Sequence, residues 1–80
     1  MRIKLLAFGI VKEIFSSSEL ELEVVDGIKL EELKSRIEQL YPELARLKSY
    51  FIAINEEYGQ CDQVIESDDE IAVIPPVSGG

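Results

Sequence analysis

A single amphipathic segment, residues 30–41, restricts the fold of this 80-residue chain more than any other feature. Its apolar side chains recur at helical spacing and are separated by charged residues, which predicts one helix with an apolar stripe. Such a stripe must be covered by a second layer. Pro42 limits the helix, because the residue before a proline disfavours helical geometry. The stripe consists of Leu30, Leu33, Ile37, Leu40 and Tyr41.

The segments before this helix are typical of two strands. Residues 2–8 form a compact apolar run that stops at Gly9, which predicts a buried strand. Residues 19–24 alternate strictly between glutamate and apolar residues, which predicts a half-buried strand. We expect the two strands to form a hairpin across the three serines at residues 16–18.

Three further strands are predicted after the helix. Residues 51–54 read as a strand, and a turn at Asn55-Glu56 leads into a short return strand that starts at Glu57-Tyr58. Residues 71–74 are apolar throughout, which predicts a strand in the interior of the sheet. The order of elements is therefore strand, strand, helix, strand, short strand, strand, an α+β arrangement with about five strands and one main helix.

Composition excludes several classes of function. Eighty residues suffice for one core and one domain. The excess of 16 acidic over 8 basic residues argues against nucleic-acid binding, which needs clustered Lys and Arg. An acidic surface suits a basic protein partner and equally serves solubility. With no histidine and one cysteine, Cys61, histidine-based catalysis, thiolate metal clusters and an intramolecular disulfide are excluded.

We expect a cytoplasmic protein without a membrane anchor. The apolar start of the chain resembles a short signal peptide, but Lys12-Glu13 interrupts it and no small-residue cleavage site follows. No apolar run approaches the roughly 20 residues of a membrane helix.

The last six residues, 75–80, carry the functional signal. Pro75 and Pro76 fix φ and remove two backbone donors, which ends the strand and continues the chain in an extended form about 20 Å long. Gly79 and Gly80 lack side chains, so they fit a narrow channel in another protein. At an average glycine usage of about 7%, the probability that a chain ends in Gly-Gly by chance is roughly 0.5%. This low probability favours a functional tail over a merely frayed end. We therefore predict a domain over residues 1–74 and a flexible tail over residues 75–80.

Several segments resemble the small, sulfur-carrying subunit of molybdopterin synthase, a family with the ubiquitin-like β-grasp fold. The similarity runs over essentially the whole chain. It is carried by residues 5–9 with Lys12-Glu13, by residues 30–33, by residues 53–58, and above all by residues 69–80, Asp-Glu-Ile-Ala-Val-Ile-Pro-Pro-Val-Ser-Gly-Gly.

The resemblance implies that an ATP-dependent enzyme adenylates Gly80 and that sulfur then replaces one carboxylate oxygen, giving a thiocarboxylate. The tail, with Pro75, Pro76, Val77, Ser78 and Gly79, would enter the large synthase subunit and donate sulfur to a cyclic pyranopterin precursor. Two small and two large subunits would form a heterotetramer. No permanently bound cofactor is implied, and catalytic side chains would belong to the large subunit.

Two departures from the family pattern stand out. Lys29 occupies the helix-cap position where the family often has Ser or Thr, a difference of about 1 kcal/mol in helix stability. Val73-Ile74 replaces aromatics that are common before the proline pair.

A partner surface is predicted from strand alternation. If Ile3, Leu5 and Ala7 face the helix, then Leu6 and Phe8 face the opposite side of the sheet, where with Ile74 they would form an apolar patch for the large subunit. An out-of-phase strand or a covering loop is the alternative.

Other functions remain open at this point. Cys61 has no neighbouring cation or second cysteine in sequence, so we expect a buried or inert thiol and not a persulfide carrier. Rival readings are a sulfur carrier for thiamine, tRNA thiolation or cysteine synthesis, a ubiquitin-like protein modifier, and a plain interaction domain.

Overall fold

The computed structural model describes residues 1–47 and 49–76. Its strands are β1 (Arg2–Ala7), β2 (Glu19–Glu23), β3 (Phe51–Ile54), β4 (Glu57–Tyr58) and β5 (Ile71–Ile74). Its helices are α1 (Ile10–Phe15), α2 (Leu30–Leu40) and a 3₁₀ helix over Pro42–Arg46. No helix within these two ranges is long and apolar enough to cross a membrane.

The five strands form one mixed sheet in the order β2-β1-β5-β3-β4. β1 pairs antiparallel with β2 and parallel with β5. β3 pairs antiparallel with β5 on one side and with β4 on the other. The predicted α+β fold is confirmed, and so is the interior position of β5, whose apolar residues are suited to a strand with neighbours on both sides.

The connection between β1 and β2 differs from the prediction. The strands pair as expected, but α1 lies between them, so the connection is not the plain hairpin expected across the serines. Ser16 ends this helix in a left-handed conformation at φ 59°, and its N–H and that of Ser17 donate to carbonyls of the last turn. With six residues and two buried side chains, Val11 and Phe15, α1 is too short to show a helical period.

The boundaries of α2 agree with the prediction, but one member of its stripe does not. Leu30, Leu33 and Ile37 are buried, whereas Leu40 is 48% exposed. Leu40 lies about 60° around the helix axis from Ile37, at the margin of the stripe, since an α-helix turns about 100° per residue. The half-buried Tyr41 follows α2 instead and packs against Phe15, with 4.8 Å between ring centroids.

Backbone hydrogen bonds attach the start of α2 to the connection between β4 and β5. The first N–H groups of a helix have no partner within the helix. Here the N–H of Leu30 donates to the carbonyl of Gln63 at 2.9 Å, and that of Glu31 to the carbonyl of Cys61 at 3.0 Å. The Lys29 N–H donates to the Glu32 carboxylate at 3.0 Å. These bonds stabilise the start of α2, where the Lys29 side chain makes no capping hydrogen bond.

Tyr50 joins the other side of α2 to the start of β3. Its hydroxyl donates a hydrogen bond to the Glu38 carboxylate, and the Lys34 ammonium lies 4.9 Å from the ring centroid. Burial, assisted by the hydrogen bond and the charge of Glu38, holds the pKa of Tyr50 well above its usual range. The phenol therefore stays protonated, and remains a donor, even in alkaline solution that would ionise an exposed tyrosine.

The hydrophobic core lies between the inner face of the sheet and α2. The most deeply buried side chains come from β1, α1, α2, the 3₁₀ helix, β5 and the connection before β5: Ile3, Leu5, Val11, Leu33, Ile37, Leu44, Ile65, Ile71 and Val73. One continuous cluster therefore joins the helix to the three central strands, as expected for a single small domain.

Truncation of the helix stripe tests this arrangement. Leu33→Ala should lower the free energy of unfolding by about 2–5 kcal/mol, because it leaves a cavity at a fully buried position. The same substitution at half-exposed Leu40 is the matched control and should cost about 1 kcal/mol or less. Urea unfolding followed by circular dichroism measures both, and equal losses would contradict the stated orientation of α2.

Candidate functional site

The tail leaves the sheet beside the end of β1. β1 and β5 are parallel, with Ala7 opposite Val73, so the backbone after Ala7 runs next to the backbone after Val73. Gly9 has φ 55°, and a Cβ built on it would lie 2.9 Å from Cγ of Pro75. Gly9 therefore meets two requirements, a backbone with positive φ, which side chains disfavour, and space for the first proline of the tail.

The structure describes the tail only as far as its two prolines. Pro75 and Pro76 are half-buried and follow directly after the central strand. The other predicted tail residues, Val77, Ser78 and Gly79, and the predicted reactive residue, Gly80, lie outside the described residues. The description therefore gives the place where the tail begins, and the roles assigned to residues 77–80 stay predictions.

The face of the sheet opposite α2 shows the predicted alternation along β1. Ile3, Leu5 and Ala7 are buried against the core. Leu6 is half-buried and Phe8 is 46% exposed. The predicted orientation of this strand is confirmed, so an apolar side chain is presented to solvent immediately before Gly9.

Strand pairing brings more apolar residues to this outer face. Ala72 of β5 lies opposite Leu6 on one side and opposite Ala53 on the other, and Ile74 lies opposite Phe51. Residues that face each other across strands share a face of the sheet. The outer face therefore carries a continuous apolar surface across the three central strands.

An open groove of about 620 Å³ lies on this surface, and we call it the outer groove. It brings Phe8 and Ile74 together as predicted, whereas Leu6 is on the same face but does not line it. The residues that line it are Phe8, Ala53, Glu56, Glu57, Tyr58, Glu70, Ala72 and Ile74.

Several residues of this surface were missed in the sequence. The exposed rings of Phe51 and Tyr58 pack together with centroids 5.4 Å apart, at one edge of the outer face. Alternation within β3 would have put Phe51 and Ala53 on one face, but only the pairing register shows that this is the face of Ile74.

A network of polar side chains stabilises the end of the outer groove at which Glu56 and Glu70 lie. Asn55 adopts φ 53° in the turn between β3 and β4. Its side-chain amide donates to Asp69 at 2.9 Å and accepts from the Glu70 N–H at 3.0 Å. The second Asp69 oxygen accepts from the Glu66 N–H at 2.8 Å. These bonds attach the turn between β3 and β4, which includes Glu56, to the residues just before β5.

Cys61 lies elsewhere, in a second groove of about 410 Å³ between the start of α2 and β3. Cys61 is exposed, so of the two expected alternatives, a buried or an inert thiol, the first is wrong and the second stays a prediction. Its carbonyl, which accepts from Glu31, has a structural role in fixing α2. The described residues that line this groove do not include those at the tail exit, Gly9 and Pro75.

A five-stranded mixed sheet packed on one main helix, with the central strand continuing into the tail, defines a ubiquitin-like β-grasp protein. The ThiS family matches residues 5–80. The chain belongs to that family. The match reaches the terminal Gly-Gly and so includes the tail.

Curated relatives cover the whole chain. The molybdopterin synthase sulfur carrier subunit of Chlamydomonas reinhardtii is 36% identical over 83 residues, covering 100% of both chains. The human protein of the same name is 37% identical over 83 residues, covering 99% of this chain and 94% of its own.

Solved structures share the fold. A putative molybdopterin converting factor subunit 1 from Pyrococcus furiosus has a TM-score of 0.87 at 21% identity, covering 96% and 99% of the two chains. One chain of the complex of subunits 1 and 2 of molybdopterin-converting factor from Helicobacter pylori has a TM-score of 0.70 at 22% identity, covering 100% of this chain and 100% of its own. The small archaeal modifier protein 1 from Methanosarcina acetivorans has a TM-score of 0.78 at 25% identity, covering 99% and 96%.

A pair of glycine substitutions tests the tail exit. Gly27 also has a positive φ, 81°, but a Cβ there meets nothing within 4 Å. Gly27→Ala should therefore cost about 1–2 kcal/mol of stability from backbone strain alone. Gly9→Ala should cost about 1–3 kcal/mol more, because its methyl group also collides with Pro75.

Chemical denaturation measures the difference, and NMR shifts at Ile74 and Pro75 report the displacement of the tail. Equal losses, with unchanged shifts at both residues in Gly9→Ala, would contradict the contact.

Proposed function

We propose that this chain carries sulfur on the carboxylate of Gly80 during the synthesis of molybdopterin. The observation that supports this most strongly is the family match, which spans residues 5–80 and so includes the tail. Full-length relatives at 36% and 37% identity bear the name of that sulfur carrier.

The chemistry requires little of this chain beyond its terminus. A carboxylate is a poor electrophile, so an ATP-dependent partner first joins the Gly80 carboxylate to AMP and releases pyrophosphate. A sulfur donor at the oxidation level of sulfide then attacks the acyl carbon. AMP leaves, a proton is lost, and Gly80 carries a thiocarboxylate.

The second step takes place in the large synthase subunit. The thiocarboxylate sulfur attacks a carbon of a cyclic pyranopterin precursor and displaces an oxygen substituent from that carbon, and water then cleaves the acyl–sulfur bond. Sulfur stays on the pterin and Gly80 returns to a carboxylate. Two carriers supply the two dithiolene sulfurs, which suits a heterotetramer of two small and two large subunits. The carrier thus passes through a glycyl adenylate, a thiocarboxylate and, briefly, a thioester with the pterin.

The described residues serve this chemistry by positioning. The tail, residues 75–80, extends about 20 Å from the domain, residues 1–74, if fully stretched. Gly9 and Pro75 set where the tail leaves the sheet. Phe8 and Ile74, with Leu6 beside them, present an apolar surface next to that point, and we assign it to the large subunit. The cytoplasm, where ATP is available for adenylation, is the proposed compartment.

A protein modifier is the second candidate, favoured by the likeness to the small archaeal modifier protein 1. Such a protein would use the same adenylate but pass the Gly80 acyl group to a lysine amine. The product would be an isopeptide conjugate of higher mass, stable to hydroxylamine. A carrier for another sulfur pathway would form the same thiocarboxylate and differ only in its acceptor.

Mass spectrometry of the loaded chain tests the proposal. The purified protein is incubated with a candidate activating enzyme, ATP and a sulfur donor, and is then fragmented to locate any exchange of oxygen for sulfur. We expect the exchange at Gly80 alone. Fragmentation is essential because oxidation of Met1 adds nearly the same mass.

Two variants control the experiment. Deletion of Gly80 should abolish loading, whereas Cys61→Ser should leave it unchanged. An enzyme that loads its own carrier but leaves this chain unmodified would contradict the proposal. Loss of loading in Cys61→Ser would indicate that the Cys61 thiol takes part in sulfur transfer.

A further inference from the structure

We propose that the outer groove binds a two-part element of the large synthase subunit: an apolar side chain at the end next to the tail, and a cationic side chain at the other end, against Glu56 and Glu70. The assignment rests on the proposed function and extends it, because it specifies the chemistry that the partner must present. It also sets a distance between the two parts.

The apolar end of the groove is continuous with the tail exit. Phe8 and Ile74 line it, and the next residue along each strand, Gly9 and Pro75, begins the tail. A subunit that receives the tail must approach the sheet at this end. Burying the exposed part of Phe8 then contributes affinity at the point where the terminus enters the partner.

The opposite end of the groove is acidic. Glu56, Glu57 and Glu70 line it, and none of the described residues that line the groove is Lys or Arg. Glu70 precedes Ile74 by four residues on an extended chain, a separation of about 13 Å. The complementary element therefore carries Lys or Arg about 13 Å from its apolar side chain.

Charge also selects the kind of partner. A second copy of this chain would bring its own formal charge of -8 against the acidic end. Like charges brought together in an interface oppose association. A cationic surface on a different protein is instead attracted, and the attraction raises the association rate in a salt-dependent way.

The conformation of Glu56 provides a sharp test. It adopts φ 69° in the tight turn that joins β3 to β4, at a position where glycine is strongly preferred. Glu56→Gly therefore removes both backbone strain and the carboxylate. If the carboxylate serves binding, this substitution should weaken the complex while the isolated domain stays as stable as before or becomes more stable.

The experiment measures association of the full chain with the large subunit from the same source, by surface plasmon resonance at two salt concentrations. Glu56→Gln and Glu70→Gln should each weaken binding about threefold, and the double variant about tenfold, mainly through a slower association rate. Added salt should shrink the difference from the native chain. Glu43→Gln, the same change on the exposed 3₁₀ helix, is the matched control and should bind like the native chain.

Thermal unfolding completes the test. Glu56→Gly should weaken binding about threefold with a melting temperature at or above that of the native chain. Phe8→Asp tests the apolar end and the proposed function: it should weaken the complex at least tenfold without unfolding the domain. Weakening by Phe8→Asp alone, with Glu56 and Glu70 variants binding like the native chain, would overturn the cationic element and leave the proposed function standing. No binding by the native chain would contradict both.

Discussion

The parallel pairing of β1 with β5 is the constraint on which the rest of the structure depends. It places two strands far apart in sequence side by side at the centre of the sheet, with Leu5 opposite Ile71. The side chains on the inner face of these two strands are buried, and α2 packs against them. Their ends coincide, so Phe8 and Gly9 meet Ile74 and Pro75, and the partner surface and the tail exit arise from one contact between strands.

In this arrangement the domain serves recognition by partner proteins, and the C-terminus serves the proposed chemistry. The core, the hydrogen bonds at the start of α2 and the Asn55–Asp69 network hold the described strands and helices together. The proposed chemistry happens at Gly80, beyond these elements, in sites that other proteins supply. An 80-residue chain without histidine can serve such a reaction because it has only to be recognised and to deliver its end. Recognition in turn requires a surface fixed relative to the tail, which Gly9 and Pro75 provide.

Much of this could be predicted from the sequence, where the signal is local. The alternation in β2, the period of α2 and the apolar run of β5 each depend on neighbours along the chain, and all three were confirmed. Features that depend on distant pairing were not predictable: the register that puts Phe51 and Tyr58 beside the outer groove, and the exposure of Cys61. The helix α1 was missed because six residues carry too little periodicity. The role of Gly80 rests on the family match and on the chemistry of its carboxylate.

Reconstitution of the complete transfer tests the central claim most directly. The chain, loaded at Gly80 with isotopically labelled sulfur, is mixed with the large subunit and the cyclic pyranopterin precursor. The product is then quantified by mass spectrometry. The account predicts that label appears in molybdopterin with two chains returned to the carboxylate form for each molecule produced. Label that stays on the chain, or Gly80 found in an isopeptide bond to lysine, would contradict it.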